Sequence, residues 1–167
     1  MTEAAANGMS SKSAALYDED FYAWTQEQAK ALRAHFRGDN RIDVEHLAEE
    51  IEDLGKSDLH AVESYVEQII AHLLKLDYSG YELSRGHWRG EVEAFRSSMD
   101  RKTTPSIKRV VRQRLPRLYE RAARSAAASL HQHEPDFRRR LPKTCPYDWE
   151  TVVNRDVLAE VGVDLSA

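Results

Sequence analysis

The fragment LAEEIEDLGKSD, residues 47–58, gathers acidic side chains that could do chemistry. Its carboxylates lie at Glu49, Glu50, Glu52 and Asp53. The first and third of these, and the second and fourth, are three residues apart, a spacing that places both members of a pair on one helix face. Carboxylate oxygens are preferred ligands of Mg²⁺. The fragment is therefore a candidate Mg²⁺ site of a nucleotide hydrolase, with Glu49, Glu50 and Asp53 as ligands.

Hydrophobic periodicity predicts that one long central helix, Val44 to Leu76, carries this fragment. At about 100° per residue, a helix aligns one apolar stripe over the whole region. The stripe consists of Leu47, Ile51, Leu54, Val62, Tyr65, Ile69 and Leu76. Because it keeps its phase across Gly55, we expect a continuous helix that buries the stripe. The alternative is a break, with Gly55 just past one helix end and Ser57 capping the next.

The position of each polar residue relative to this stripe separates solvated groups from candidate functional ones. Glu49, Glu52 and Asp53 are predicted to face away from the stripe, so a purely solvated acidic face is the alternative to a metal site. Glu50 borders the stripe, His72 lies within it and Lys75 lies near its edge. The candidate functional cluster is Glu49, Glu50, Asp53, His72 and Lys75. In the hydrolase hypothesis, Lys75 contacts substrate phosphates.

The charges are distributed unequally along the chain. The net charge of −4 combines −10 over residues 1–83 (17 acidic, 7 basic) with +6 over the remainder (11 acidic, 17 basic). Residues 101–124 hold nine Lys or Arg and one acidic residue, Glu120. Such a basic helix can follow nucleic-acid phosphates, with Arg109, Arg112 and Arg117 as candidate contacts. The alternative is that acidic and basic helices of this protein complement each other.

The remaining pattern is helical throughout, which predicts an all-α fold. The first helix is expected from Asp20 to Arg37, ended by the GDN sequence at 38–40. Its buried side is expected to consist of Phe21, Trp24, Leu32 and Phe36. Later helices should bury two further stripes, Trp88, Val92, Phe95 and Met99, then Ile107, Val111, Leu115, Leu118 and Ala122. The expected helix caps are Asp43, Ser84 and Thr104, and a short final helix is expected to start at Asp148.

Length and composition bound the architecture. A chain of 167 residues with 41% hydrophobic residues suits a compact single-domain bundle of four to five main helices over residues 15–167. Residues 1–14, polar and rich in Ala and Ser, are predicted to be a flexible tail. Neither a signal peptide nor a membrane span is predicted. A single cysteine, Cys145, allows no internal disulfide, and we expect a cytoplasmic protein.

Four blocks resemble the signatures of a bacterial family known only as domain of unknown function 29. They are LYDEDFYAWTQEQAKALR, LAEEIEDLGKSD, HLLKLDYS and TCPYDWETVV, spread over Tyr17 to Val157. The resemblance implies a small all-helical cytosolic protein and supplies no activity, ligand or catalytic residue. The family's characteristic positions fall on Trp24, Glu49, Glu50, Ile51, Leu54, Gly55, His72, Leu73, Leu74, Lys75, Trp88, Cys145, Pro146 and Tyr147.

Three functional hypotheses follow from these observations. The first is a non-catalytic binding module, with a protein partner or self-association and no cofactor. In that case Glu50 or Asp58 would pair with a basic side chain, and His72 would be hydrogen-bonded in the core. The second is the Mg²⁺-dependent nucleotide hydrolase. The third is nucleic-acid binding through the basic helix 101–124.

Overall fold

The computed structural model describes residues 14–36 and 41–159. Residues 14–19 are helical and precede six helices whose bounds are α1 (Phe21–His35), α2 (Val44–Tyr78), α3 (Arg85–Asp100), α4 (Pro105–Leu130), α5 (Phe137–Arg140) and α6 (Trp149–Asn154). A 3₁₀ turn, Glu82–Ser84, leads into α3, and no strand occurs among these residues. The all-α prediction is therefore confirmed. The predicted tail lies outside the described residues, except for residue 14.

Contacts divide the chain into two units. Of the described residues, the first comprises those up to Ala61 together with Lys102–Arg109, and the second comprises Val62–Arg101 and those from Val110 onward. The single-domain organisation of residues 15–167 stays a prediction. In the first unit, α1 is found with the N-terminal part of α2. In the second, the C-terminal part of α2 is found with α3 and most of α4.

Asp20 links two helix starts in the first unit. As the N-cap of α1, its carboxylate accepts a hydrogen bond from the Ala23 backbone N–H at 3.1 Å. The second carboxylate oxygen accepts from the backbone N–H of Ser106, in the first turn of α4, at 2.8 Å. Burial by itself would raise the pKa of Asp20, but hydrogen bonds from Ala23, Thr104 and Ser106 together hold it below its usual value. The ionised carboxylate therefore stabilises both helix ends.

The buried side of α1 differs from the predicted one. Thr25 and Ala29 are its buried residues, whereas Phe21, Trp24 and Leu32 are only half-buried and Phe36 is exposed. The ring of Trp24 instead packs edge-on against Tyr17, with ring centroids 4.8 Å apart. The prediction favoured the largest apolar residues, but small residues are what a close helix contact requires. The predicted stop at residues 38–40 lies outside the described residues.

Gly55 explains that close contact, and α2 runs through it without a break. The helix extends from Val44 to Tyr78, so the continuous helix is confirmed and the alternative break at Gly55 is wrong. A Cβ atom on Gly55 would lie 2.1 Å from the Thr25 hydroxyl oxygen and 3.4 Å from the Tyr22 ring. Glycine is thus required here by the approach of α1 rather than by a turn.

The predicted phase of α2 is wrong in its N-terminal part. Leu47 and Leu54 are 44% and 58% exposed, and Ile51 is only half-buried. The buried line runs instead through Ala48, Gly55 and Leu59. About 100° of rotation separates Leu47 from Ala48. The helix has therefore turned its small residues toward α1 and its larger apolar residues toward solvent.

The core of the second unit follows the predicted stripes more closely. Residues 69–76 of α2 are all buried. Along α4, Val111, Leu115, Leu118 and Ala122 are buried as predicted. Along α3, Trp88, Val92 and Met99 are buried, while Phe95 is half-buried.

Side-chain capping confirms most predicted helix starts. Asp43 accepts from the His46 backbone N–H, Thr104 accepts from Ile107, and Asp148 accepts from Thr151 at 2.8 Å. Ser84 occupies the N-cap position of α3, but its side chain makes no capping hydrogen bond. The preceding 3₁₀ turn provides a different entry into that helix.

Candidate functional site

The acidic fragment lies largely on an exposed face in the first unit. Glu49, Glu50 and Asp53 are exposed, and Asp53 pairs with Lys56 at 2.8 Å. The placement of Glu50 at the border of a buried stripe is wrong, because the helix is rotated away from the predicted phase. Across residues 14–36 and 41–159, no three His, Cys, Asp or Glu side chains form a group that could hold a metal ion.

Glu52 has a structural role that the helical wheel did not predict. Its carboxylate forms an ion pair with Arg33 of α1, and Arg33 also pairs with Glu45 at 2.8 Å. Hydrogen bonds from Arg33 are the main reason that the pKa of Glu52 is lowered. One guanidinium thus bridges two acids of α2, which attaches α1 to the rotated helix.

His72 is buried in the second unit, with only 7% of its surface exposed. Its Nδ1 lies 2.7 Å from the Gln68 carbonyl oxygen, and its ring centroid lies 5.9 Å from that of Phe95. Burial is the main reason that the pKa of His72 is lowered, and the charge of Lys75 lowers it further. The neutral imidazole therefore donates from Nδ1 and leaves Nε2 as an acceptor.

Lys75 lies one helical turn beyond His72 and is also buried, with 8% exposed. Its ammonium lies 5.7 Å from the ring centroid of Trp88 in a cation–π contact. Burial lowers the pKa of Lys75, and the negative charge of Glu91 raises it by a smaller amount. Of the candidate cluster, the structure therefore brings together His72 and Lys75, while the three acids lie in the other unit.

A row of solvent-facing apolar side chains follows the N-terminal part of α2. Leu47, Ile51 and Leu54 recur at spacings of four and three, which places them on one helix face. Ile42, 47% exposed, precedes the Asp43 cap, a position whose side chain commonly packs toward the fourth helical residue, here Leu47. We call these four residues the apolar face. Exposed Asp43 and Glu50 lie at its border.

The basic segment is partly neutralised by acids of α2. In the second unit, Arg114 pairs with Glu63 and Arg121 pairs with Glu67, both at 2.7 Å. In the first unit, Lys102 pairs with Asp58. These pairs agree with the alternative that acidic and basic helices complement each other. Three candidate nucleic-acid contacts remain exposed: Arg109, Arg112 and Arg117.

Asp77, near the end of α2, was missed by sequence reasoning and organises the C-terminal segment. Both of its carboxylate oxygens accept hydrogen bonds from Arg155 at 2.7 Å, and one also accepts from the Tyr147 hydroxyl at 2.7 Å. The Arg96 guanidinium donates to the carbonyls of Val152 and Arg155. These contacts explain Tyr147 of the TCPYDWETVV block as a structural anchor.

A second missed feature surrounds Glu134, in the connection between α4 and α5. Its carboxylate accepts from the Ser79 hydroxyl and pairs with Arg140. Nearby, the rings of Tyr81 and His133 stack with centroids 4.6 Å apart. Tyr81, His133, Glu134 and Arg140 line an open pocket of about 410 Å³. No local pattern could have predicted contacts that join residues some fifty positions apart.

The model of the family described as domain of unknown function DUF29 matches residues 16–158 of this chain. The chain belongs to this family. The match includes α1 to α6, so the DUF29 family model covers both units and all four signature blocks. The resemblance predicted from those blocks is confirmed, and the family description supplies no activity.

A solved structure gives independent support for the helical fold. It is described as an alpha-helical protein of unknown function from Rhodospirillum rubrum, with 27% sequence identity and a TM-score of 0.70. The match covers 87% of this DUF29 chain and 93% of that chain. No curated protein matches the sequence. Within the part of the chain that the structure describes, no helix has both the length and the apolarity that a membrane crossing requires.

Proposed function

We propose that this DUF29 protein is a non-catalytic interaction module that binds a partner protein through the apolar face. The observation that carries the proposal is the exposure of Leu47 and Leu54, 44% and 58%, on the same side of one helix. Together with Ile51 they recur at spacings of four and three, the pattern of anchors by which one amphipathic helix packs against another. Covering this face removes apolar surface from water.

The charges around the apolar face select the partner. Asp43 and Glu50 are exposed acids beside the leucines. In an antiparallel pairing of two copies centred near Ile51, Glu50 would meet Glu50, and like charges in such contact are unfavourable. A basic flank on the partner would instead complement the rim. We therefore assign the face to an amphipathic helix of another protein, with apolar anchors bordered by Lys or Arg.

A designed peptide tests this assignment. It carries leucines at the a and d positions of about three heptads and Lys or Arg at e and g, and a matched peptide carries Glu at e and g. Fluorescence anisotropy of each labelled peptide, titrated with the full chain, gives its affinity. We expect the basic peptide to bind more tightly than the acidic one, and its affinity to fall as salt is added.

Matched variants locate the binding surface. Leu54→Ser removes an anchor and should weaken binding of the basic peptide about fivefold, since roughly 1 kcal/mol of apolar burial is lost. Leu83→Ser is the control, because Leu83 is 88% exposed and lies outside the apolar face. Equal binding of both peptides, or equal weakening by the two variants, would contradict the proposal. A molecular mass that rises with protein concentration in the wild type, but not in Leu54→Ser, would mean that the apolar face binds a second copy of this chain and not a helix of another protein.

A further inference from the structure

Lys75 is a largely buried lysine whose ammonium has no anionic partner. Only 8% of the residue is exposed, and no carboxylate of the described residues forms an ion pair with it. Its ammonium instead lies over the ring of Trp88, 5.7 Å from the ring centroid. Glu91 acts on it electrostatically without forming an ion pair. Buried lysines are almost always paired, so the missing charge calls for an explanation.

His72 adds a second polar group on the same helix face, three residues before Lys75. Its Nδ1 is engaged by the Gln68 carbonyl oxygen at 2.7 Å, which fixes the neutral ring with its proton on Nδ1. Nε2 then offers a lone pair rather than a proton. The two side chains together supply one cationic donor and one neutral acceptor.

An oxyanion that carries a hydroxyl group matches this pair of groups. We propose that Lys75 and His72 bind hydrogen phosphate or a phosphate monoester, with the ammonium donating to a charged oxygen and His72 Nε2 accepting from the P–OH group. The bound oxyanion would then pair with the Lys75 ammonium, which has no carboxylate partner among the described residues. This site lies in the second unit and does not depend on the proposed partner-binding function.

Arg89 is the competing cation in the same unit. It is 8% exposed, and its Nε atom is buried with no hydrogen-bond partner in the structure. However, no hydrogen bond, ion pair or ring contact of the described residues joins Arg89 to Lys75 or His72, whereas Glu91 acts electrostatically on both and His87 on His72. Arg89 therefore serves as a matched control for a buried cation outside the proposed site.

Thermal denaturation of the full chain tests the proposal. Inorganic phosphate and sulfate are titrated separately at pH 7 and constant ionic strength, because sulfate has the same shape but no proton to donate to His72. Binding to the folded state raises Tm with ligand concentration. We expect phosphate to raise Tm more than sulfate, and NMR to show a phosphate-dependent shift of the His72 ring.

Three variants decide the outcome. Lys75→Met should weaken phosphate binding roughly tenfold or more, as loss of a charge-assisted hydrogen bond implies, while Arg89→Met leaves it unchanged. His72→Gln should abolish most of the preference for phosphate over sulfate, and it keeps the test open if Lys75→Met fails to fold. A Tm rise that persists in Lys75→Met would indicate an adventitious ion only. That result, no Tm rise at all, or a loss confined to Arg89→Met would overturn the site.

Discussion

Gly55→Ala is the substitution for which the structure gives the sharpest energetic expectation. Alanine favours a helix over glycine by about 1 kcal/mol, so the change would stabilise an exposed helical position. Here the new methyl group would lie 2.1 Å from the Thr25 hydroxyl oxygen, which is far inside van der Waals contact. Overpacking of this kind costs roughly 1–3 kcal/mol. Thr25 cannot move freely either, because its hydroxyl donates to the Tyr22 carbonyl at 2.8 Å.

We therefore expect Gly55→Ala to lower the free energy of unfolding by up to about 2 kcal/mol, after the gain in helix propensity is subtracted. Urea denaturation followed by circular dichroism measures this change. Thr25→Ala removes the clashing oxygen and leaves the Thr25 Cβ at 3.2 Å, a tight but tolerable contact. The double variant should therefore lose at least about 1 kcal/mol less than the sum of the two single variants.

Two results would refute this reasoning. Stabilisation by Gly55→Ala would mean that the glycine lies on an open helix surface, so that α1 does not approach it. Additive effects of the two substitutions would mean that Gly55 is needed for a reason unrelated to Thr25, such as a local break in the helix. Leu54→Ala, one residue away on the exposed side of α2, is the control. It should lower the free energy of unfolding far less than the same substitution of a core leucine.

Three further substitutions probe the account. Leu73→Ala, at a fully buried position, should lower the unfolding free energy in urea by about 2–5 kcal/mol, while Leu54→Ala should cost well under 1 kcal/mol. Burial lowers the folded-state pKa of His72 below 6.5, so the wild-type protein loses stability as pH falls from about 6.5 through that lower value. His72→Gln should reduce this loss of stability on acidification. Asp20→Ala should cost about 2–3 kcal/mol in thermal unfolding, because two backbone donors lose their acceptor.

The sequence predicted the helical fold well where local signals decide it. Asp43, Thr104 and Asp148 cap helices because a short oxygen-bearing side chain satisfies the free N–H groups of a first turn wherever it occurs. The apolar stripe of α4 is buried as expected, since large residues repeat there on one side only. The same logic correctly carried α2 through Gly55.

The phase of α2 could not be predicted because periodicity records where hydrophobic residues lie and not which side meets another helix. Leu47 and Leu54 form the more hydrophobic stripe, yet Ala48 and Gly55 form the buried one. Small residues permit the close approach that Thr25 requires, and hydropathy does not register that advantage. This error is informative, because the stripe that should have been core is the face proposed to bind a partner.

Long-range polar contacts were also beyond the reach of sequence patterns. Asp77 meets Arg155 and Tyr147, seventy or more positions away, and nothing in the local sequence marks the three as a group. His72 and Lys75 were singled out by the wheel, but their burial depends on α3, whose Trp88 and Phe95 rings lie next to them. Glu49, Glu50 and Asp53 are exposed and have no comparable enclosure.

NMR chemical-shift mapping with the basic amphipathic peptide shows whether the apolar face binds a helix. We expect that adding the peptide to the full chain shifts the signals of Ile42, Leu47, Ile51 and Leu54 first, and that Leu54→Ser suppresses these shifts. No shift at these residues, or shifts concentrated on the exposed arginines of α4, would contradict the proposal that the apolar face is a binding surface.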